Sequence, residues 1–397
     1  MESISNRILN MEESATLKMA NLAWQLKEEG KDIISLSLGE PDFDTPDYIK
    51  DAATKAISDN FTHYPPVPGY KDVRESISKK FKRDNNLDYS VDQIVISTGA
   101  KHSLMNLCLA LVNPGDEVVL PAPYWVSYMA MAKFAEGTPV ELKTDITTDF
   151  KITAEQLDNA LNEKSKLFIF SNPCNPSGSV YSEKELRELA SIFEKYPNCY
   201  IVSDEIYELI NFEGKNFSIG TIDSIKERVI TVNGVAKGFS MTGWRIGYIG
   251  APLHVAKACT KLQGQFTSGA NTIAQKATQV AVSESPERVS EMKQVFHKRR
   301  DLFVSLLKEI PGMKVNEPQG AFYVFPDISS FIGKKLDNKI IENVNDLSMS
   351  ILAEVQVAIT PGDAFGTPNN IRLSYANSDE QLREAASRLK SYFARLK

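Results

Sequence analysis

The chain has 397 residues, 42% of them hydrophobic and 24% charged, with 51 acidic against 45 basic side chains and a net charge of -6. That is enough apolar surface for a large packed core and two or three domains. The negative balance argues against nucleic acid or an anionic membrane as the main partner. No run of 18 apolar residues occurs, so no spanning helix is expected. The first residues, MESISNRILNMEESATLKMA, lack the apolar core of an export signal, which makes a cytoplasmic location the expectation. Cys108, Cys174, Cys199 and Cys259 are far apart and read as reduced thiols, and no His or Cys pair has metal-ligand spacing, so no protein-bound metal is expected.

In chain order, residues 1–45 hold a helical pattern and then the start of the turn-rich GEPDFDTP, whose prolines stop a helix. From about residue 93 to residue 250 the short apolar runs QIVIS, EVVLP, TPVEL, KLFIFS, CYIVSD, RVITV and RIGYIG alternate with amphipathic stretches such as SEKELRELASIFEKY. This alternation predicts an α/β fold with a mostly parallel sheet covered by helices. Several of the runs end in small or polar residues, at Ser97-Thr98-Gly99, Ser171-Asn172, Ser203-Asp204 and Thr231 to Gly234. Ligands of open α/β sheets bind at such carboxyl ends. A charged helical stretch from about Arg288 to Leu307 then leads into AFYVF, VAIT and NNIRLSYA, a pattern that suits a smaller α+β domain. The expected division is 1–45 and 291–397 as two parts of that smaller domain, with 46–290 as the large one.

Several residues carry possible chemistry. Lys237 follows a predicted buried strand among small and apolar residues, in TVNGVAKGFSMTGWRIGY. A semi-buried lysine has a depressed pKa, and its free amine can attack an aldehyde to form a Schiff base. In SDEIYELI, Asp204 and Tyr207 can reach one site from a strand terminus and the turn after it, although Asp204 alone would also suit a helix N-cap. SNPCNPSG is loop, its prolines excluding helix and strand. In STGAKHSLMNLCLAL, Gly99 and Ala100 precede a helix, where backbone N–H groups and the helix dipole converge on an anion. Trp125 in APYWVSY taken alone reads as a core aromatic. Arg372, expected at the end of the last predicted strand, is flanked by apolar residues, where its planar fork suits a carboxylate.

These motifs resemble the fold-type I, class I pyridoxal-phosphate (PLP) aminotransferases, most like the bacterial aspartate aminotransferase branch. The attachment pattern is a small residue at Gly234, then Lys237, then Arg245 eight positions on, and other family features recur in order from Gly39 to Arg372. The resemblance implies PLP attached to Lys237 in the large domain. It implies Asp204 on the pyridine nitrogen, Tyr207 and Asn175 on the phenolic oxygen, and Trp125 stacked on the ring. The phosphate is expected at Gly99, Ala100 and Arg245, with Tyr64 of HYPPVPG reaching in from a second subunit, hence a homodimer with a shared site. A serine common at position 234 in relatives is absent. The substrate α-carboxylate is expected on Arg372 beside the backbone of Gly39, and a distal carboxylate on Lys101, with Trp125 and Asn175 also lining the substrate and Lys101 also beside the cofactor. The implied reaction is transfer of the amino group of L-aspartate to 2-oxoglutarate. Aromatic, kynurenine or glutamate-prephenate transamination and carbon-sulfur lysis on the same fold remain the alternatives.

Overall fold

The computed structural model describes residues 4–9, 11, 13–337 and 339–397. At its centre the seven apolar runs become one sheet: β1 Ile94–Ser97, β2 Glu117–Ala122, β3 Thr138–Lys143, β4 Ser165–Ser171, β5 Tyr200–Asp204, β6 Val229–Gly234 and β7 Gly247–Gly250. The spatial order is β1-β7-β6-β5-β4-β2-β3. β7 runs antiparallel to β1 and β6, and the other pairs are parallel.

The unbroken apolar runs follow from burial on both faces. Alternate residues of β4 show it: Leu167 and Ile169 enter the core built with Leu104, Leu107 and Met131, while Phe168 and Phe170 enter the one built with Leu186, Leu189 and Phe193. The second of these covers includes the helix Glu183–Phe193. It starts where expected because Ser182 and Glu185 form a reciprocal capping box, an arrangement in which the cap alone contributes about 1 kcal/mol.

The smaller unit draws on both ends of the chain. Its antiparallel sheet has the order Thr360–Pro361, Ile371–Ser374, Tyr323–Val324. The helices Ser290–Lys308 and Asp379–Ala394 pack on it through Phe303, Leu307, Leu382 and Leu389. Ile34–Ser35 pairs in parallel with Val357–Ala358, which brings Ile34 and Leu36 into the same core. Tyr207 and Ile210, from the turn after β5, also belong to that core, so it reaches across to the carboxyl edge of the large sheet.

Two local expectations shift. The stretch expected to be helical from Arg288 begins its α-helix at Ser290, because Pro286–Val289 forms a 3-10 turn capped by Ser285. Arg372 is not at the end of its strand but second in Ile371–Ser374, where it pairs with Thr360. Among the described residues no helix is long and apolar enough to cross a membrane.

Candidate active site

Parallel pairing of β4, β5 and β6 brings their carboxyl ends side by side, with Ser171 opposite Asp204 and Asp204 opposite Val232. Asp204, the last residue of β5, is 4% exposed. Tyr128 donates its hydroxyl to Oδ2 at 2.7 Å, and the Ile206 N–H donates to Oδ1 at 3.2 Å. Desolvation raises the Asp204 carboxyl to about 6 against the opposing pull of these donors.

Lys237 stands in the turn after β6, its Nζ donating to the Gly39 carbonyl at 2.5 Å. The amine lies 6.0 Å from the ring centre of Tyr207 and 5.9 Å from that of Phe322. Burial lowers its pKa to about 8; Glu40 opposes that shift, and the charges of Arg372 and Arg245 add to it. The neighbouring Gly234 has little room for a side chain, since a Cβ there would stand 3.0 Å from the Ile246 carbonyl oxygen. A serine at this position therefore has no space without a local shift.

Arg372 is buried across from Lys237. Nη1 donates to Asn175 Oδ1 at 3.0 Å, and Nη2 donates to the Ser37 carbonyl at 2.5 Å and Thr360 Oγ1 at 3.5 Å. All three partners are neutral, and Nε has no hydrogen-bond partner. The guanidinium lies 4.5 Å from the ring centre of Tyr323, whose hydroxyl meets that of Tyr207 at 2.8 Å. A buried guanidinium with an unused N–H is a docking point for a carboxylate.

At the end of β1, Gly99 adopts a φ of +86° and opens the helix Ala100–Leu111, which has no acidic residue in its first turn. A Cβ on Gly99 would stand 2.7 Å from Arg245 Nη2, so the missing side chain lets the guanidinium close on the helix N-terminus. Arg245 is fixed by donating Nη1 to the Thr242 carbonyl at 2.8 Å. Lys101 Nζ lies 5.0 Å from the Trp125 ring centre, and Trp125 packs edge-on against Tyr128 at 5.5 Å. Desolvation, then the charge of Arg245, lowers the Lys101 pKa. The cation pair Lys101 and Arg245 beside a helix N-terminus is an anion cradle.

Of the expected residues, Tyr64 alone is not brought to the others: its side chain is 96% exposed on this chain. Tyr128, Tyr323 and Ser37 were not singled out by sequence. A usable signal existed for the two tyrosines, since a tyrosine in an apolar element needs a hydroxyl partner.

The matching family model is that of aminotransferase class I and II, over residues 31–389. The chain belongs to that family. Its members depend on PLP, and so does this aminotransferase. The chain is 44% identical over 400 residues to the bifunctional aspartate aminotransferase and glutamate/aspartate-prephenate aminotransferase of Petunia hybrida, covering 100% of this chain and 84% of that one. It is 42% identical over 399 residues to an aspartate/prephenate aminotransferase of Cereibacter sphaeroides, with 100% of each covered. Among solved structures, the aspartate aminotransferase from Rhizobium meliloti superposes with a TM-score of 0.96 at 38% identity over 100% of both chains. That from Thermus thermophilus with maleate gives 0.92 at 38% identity, over 98% of this chain and 100% of that one.

The residues of this aminotransferase fit PLP on physical grounds. The helix N-terminus at Gly99 and Ala100 with Arg245 suits a phosphate, the Lys237 amine of pKa about 8 suits an aldehyde, and Asp204, pushed up to about 6 by burial, suits a cationic ring nitrogen.

Proposed function

We propose that the protein is an aspartate transaminase that moves the amino group of L-aspartate to 2-oxoglutarate, with PLP carried on Lys237. The observation that carries this reading is the convergence of a buried amine, a buried carboxylate and a guanidinium with neutral partners, at Lys237, Asp204 and Arg372. When bound, PLP supplies an aldehyde for covalent attachment and a protonated ring that takes up the electron pair left at Cα.

The chain's own groups do the rest. Gly99, Ala100 and Arg245 hold the phosphate, with Tyr64 arriving from a second copy of the chain. Trp125 would lie against the ring, Asp204 would pair with its nitrogen, and Asn175 and Tyr207 would hold the phenolic oxygen. Arg372 would take the substrate α-carboxylate beside the backbone of Gly39 and so orient the Cα–H bond for loss of its proton. Lys237 would hold the cofactor through its amine and, once that amine is free, would take the proton from the substrate Cα. A pKa of about 8 leaves both of its protonation states accessible near neutrality.

Asp204 has a consequence for stability. The folded protein holds its proton up to about pH 6, while the unfolded chain releases it near 3.8. Its contribution is therefore full at low pH and lost as pH rises through 6. A ring nitrogen that keeps its proton against the carboxylate restores what is lost. The melting temperatures of PLP-loaded and PLP-stripped protein should differ more at pH 8 than at pH 5; a gap that narrows with rising pH removes Asp204 from this role.

Lys101 is assigned the distal carboxylate. Loss of a hydrogen bond to a charged group is worth about 1.5 to 3 kcal/mol, so Lys101→Ala should reduce kcat/KM for aspartate roughly 10- to 150-fold. Alanine, which has no distal carboxylate, should be little affected; an equal loss for both amino acids sinks the assignment. The test of the whole reading is transamination of 2-oxoglutarate against aspartate, tyrosine, kynurenine and alanine. Preference for tyrosine or kynurenine would leave the mechanism and remove the aspartate assignment.

A second reading adds prephenate as an acceptor. It is supported by the prephenate named for two relatives, and by a cavity of about 1130 Å³ lined by Lys101, Tyr124, Glu141, Lys18 and Asp363. Amino transfer from aspartate or glutamate to prephenate tests it.

The homodimer belongs to the same proposal. It is supported by the exposure of Tyr64 together with Trp24, Ile57 and Phe266, at 96%, 69%, 56% and 64%. So does a cytoplasmic location, supported by four free thiols. The division at 1–45, 46–290 and 291–397 is supported by the separate cores of the large sheet and the smaller unit.

A further inference from the structure

The reaction leaves unused a set of buried charged and amide groups on the reverse face of β5. Ser203 and Glu205 flank Asp204 in sequence, so their side chains leave by the opposite face. There Glu205, 0% exposed, accepts from Ser203 Oγ at 2.9 Å and Ser218 Oγ at 2.5 Å through Oε1, and from Asn85 Nδ2 at 3.1 Å through Oε2. Glu208 accepts from Asn85 Nδ2 at 2.5 Å and pairs with Lys80 Nζ. Lys80, 2% exposed, also donates to Asn85 Oδ1 at 2.7 Å. Asp84 lies 3.8 Å from Lys80 and is itself paired with Arg83. The buried phenols of Tyr89 and Tyr248 complete the titratable surroundings.

A buried ion pair of this kind is a poor stabiliser, because apolar side chains of the same volume do as well or better. What the network does specify is one backbone path. Glu208 N–H donates to the Glu205 carbonyl at 2.9 Å, closing the turn that carries Asp204 at its start and Tyr207 inside it. Both acidic ends of the turn are tied to the segment holding Lys80 and Asn85, and both site residues face the other way.

We infer that Lys80, Asn85, Glu205 and Glu208 are positioning residues, which fix the turn after β5 so that Asp204 and Tyr207 keep their places against the cofactor ring. The inference rests on the roles proposed above for Asp204 and Tyr207. Burial, then the charge of Glu208, raises the Glu205 carboxyl to about 7.

The test uses the holoenzyme with Glu205→Leu, Glu205→Gln and the paired Lys80→Met/Glu208→Met, which leaves neither member of the ion pair without its partner. Five quantities are measured: melting temperature, kcat and KM for aspartate, the PLP dissociation constant, and the pH midpoint of the bound PLP absorbance. In Glu205→Leu and the paired variant, kcat should fall roughly ten- to a hundredfold with KM within about twofold, because Arg372 and Lys101 are untouched. Their PLP affinity should weaken and the absorbance midpoint should move. Glu205→Gln, which keeps the hydrogen-bonding shape, should recover most of kcat. Variants that melt lower yet keep kcat, PLP affinity and absorbance midpoint overturn the inference. Asp204→Asn measured alongside separates the claims: unchanged network variants beside an impaired Asp204→Asn overturn the network's role alone, and an unimpaired Asp204→Asn overturns both.

Discussion

Replacing Lys237 with alanine should reduce oxaloacetate formation from aspartate by about 10^4-fold, the upper end of what a positioned proton carrier supplies. The variant loses the covalent anchor and the proton carrier in one step, while the groups assigned to the phosphate and to the ring nitrogen stay in place. PLP should accordingly still bind, but without covalent attachment to the protein. Stability should not suffer, because an amine whose pKa is lowered to about 8 by burial is not a favourable buried charge. The checks are a coupled oxaloacetate assay, mass spectrometry of the borohydride-reduced protein and a thermal melt. Wild-type turnover without the amine would overturn the mechanism, whereas an unfolded variant would locate the role of Lys237 in packing.

The second large effect is expected at Arg372. Truncating one member of a buried, hydrogen-bonded charge pair costs about 2 to 5 kcal/mol. Arg372→Ala should therefore lower kcat/KM for every amino acid by about 30- to 5000-fold. Aspartate and alanine should lose equally, since the α-carboxylate is common to both. Arg372→Lys keeps the charge but not the planar fork, and the three present acceptors at Asn175, Ser37 and Thr360 need that fork. It should restore binding more than kcat, because orientation of the Cα–H bond is what the fork supplies. Selective loss for aspartate alone would exchange the roles given to Arg372 and Lys101.

How much of this could be read from the chain depended on how local the cause was. The seven strands were legible because burial on both faces writes an unbroken apolar run into each. Lys237 was legible because small and apolar neighbours surround it within a few residues. The partners that tune the site were not, since they come from remote segments. Tyr128 is 76 positions from Asp204, Tyr323 is 116 from Tyr207, and Glu208 is 128 from Lys80. Nothing in the neighbourhood of Tyr323 points to a hydroxyl 116 positions away. The same holds for the position of Arg372, which cross-strand pairing with Thr360 sets rather than local composition.

The contact between Arg372 and Ser37 spans 335 positions. It bears on how the protein is made as well as on what it binds. The large sheet closes once β7 has emerged, but Ile34–Ser35 must wait for Val357–Ala358 before it can pair. A growing chain thus holds a nearly finished sheet and no carboxylate pocket, with its early strand edge and apolar residues uncovered until almost the last helix. Contacts this distant slow folding and lengthen the interval in which uncovered strands can aggregate. Catalytic competence should therefore appear later in synthesis than protease resistance of the central sheet.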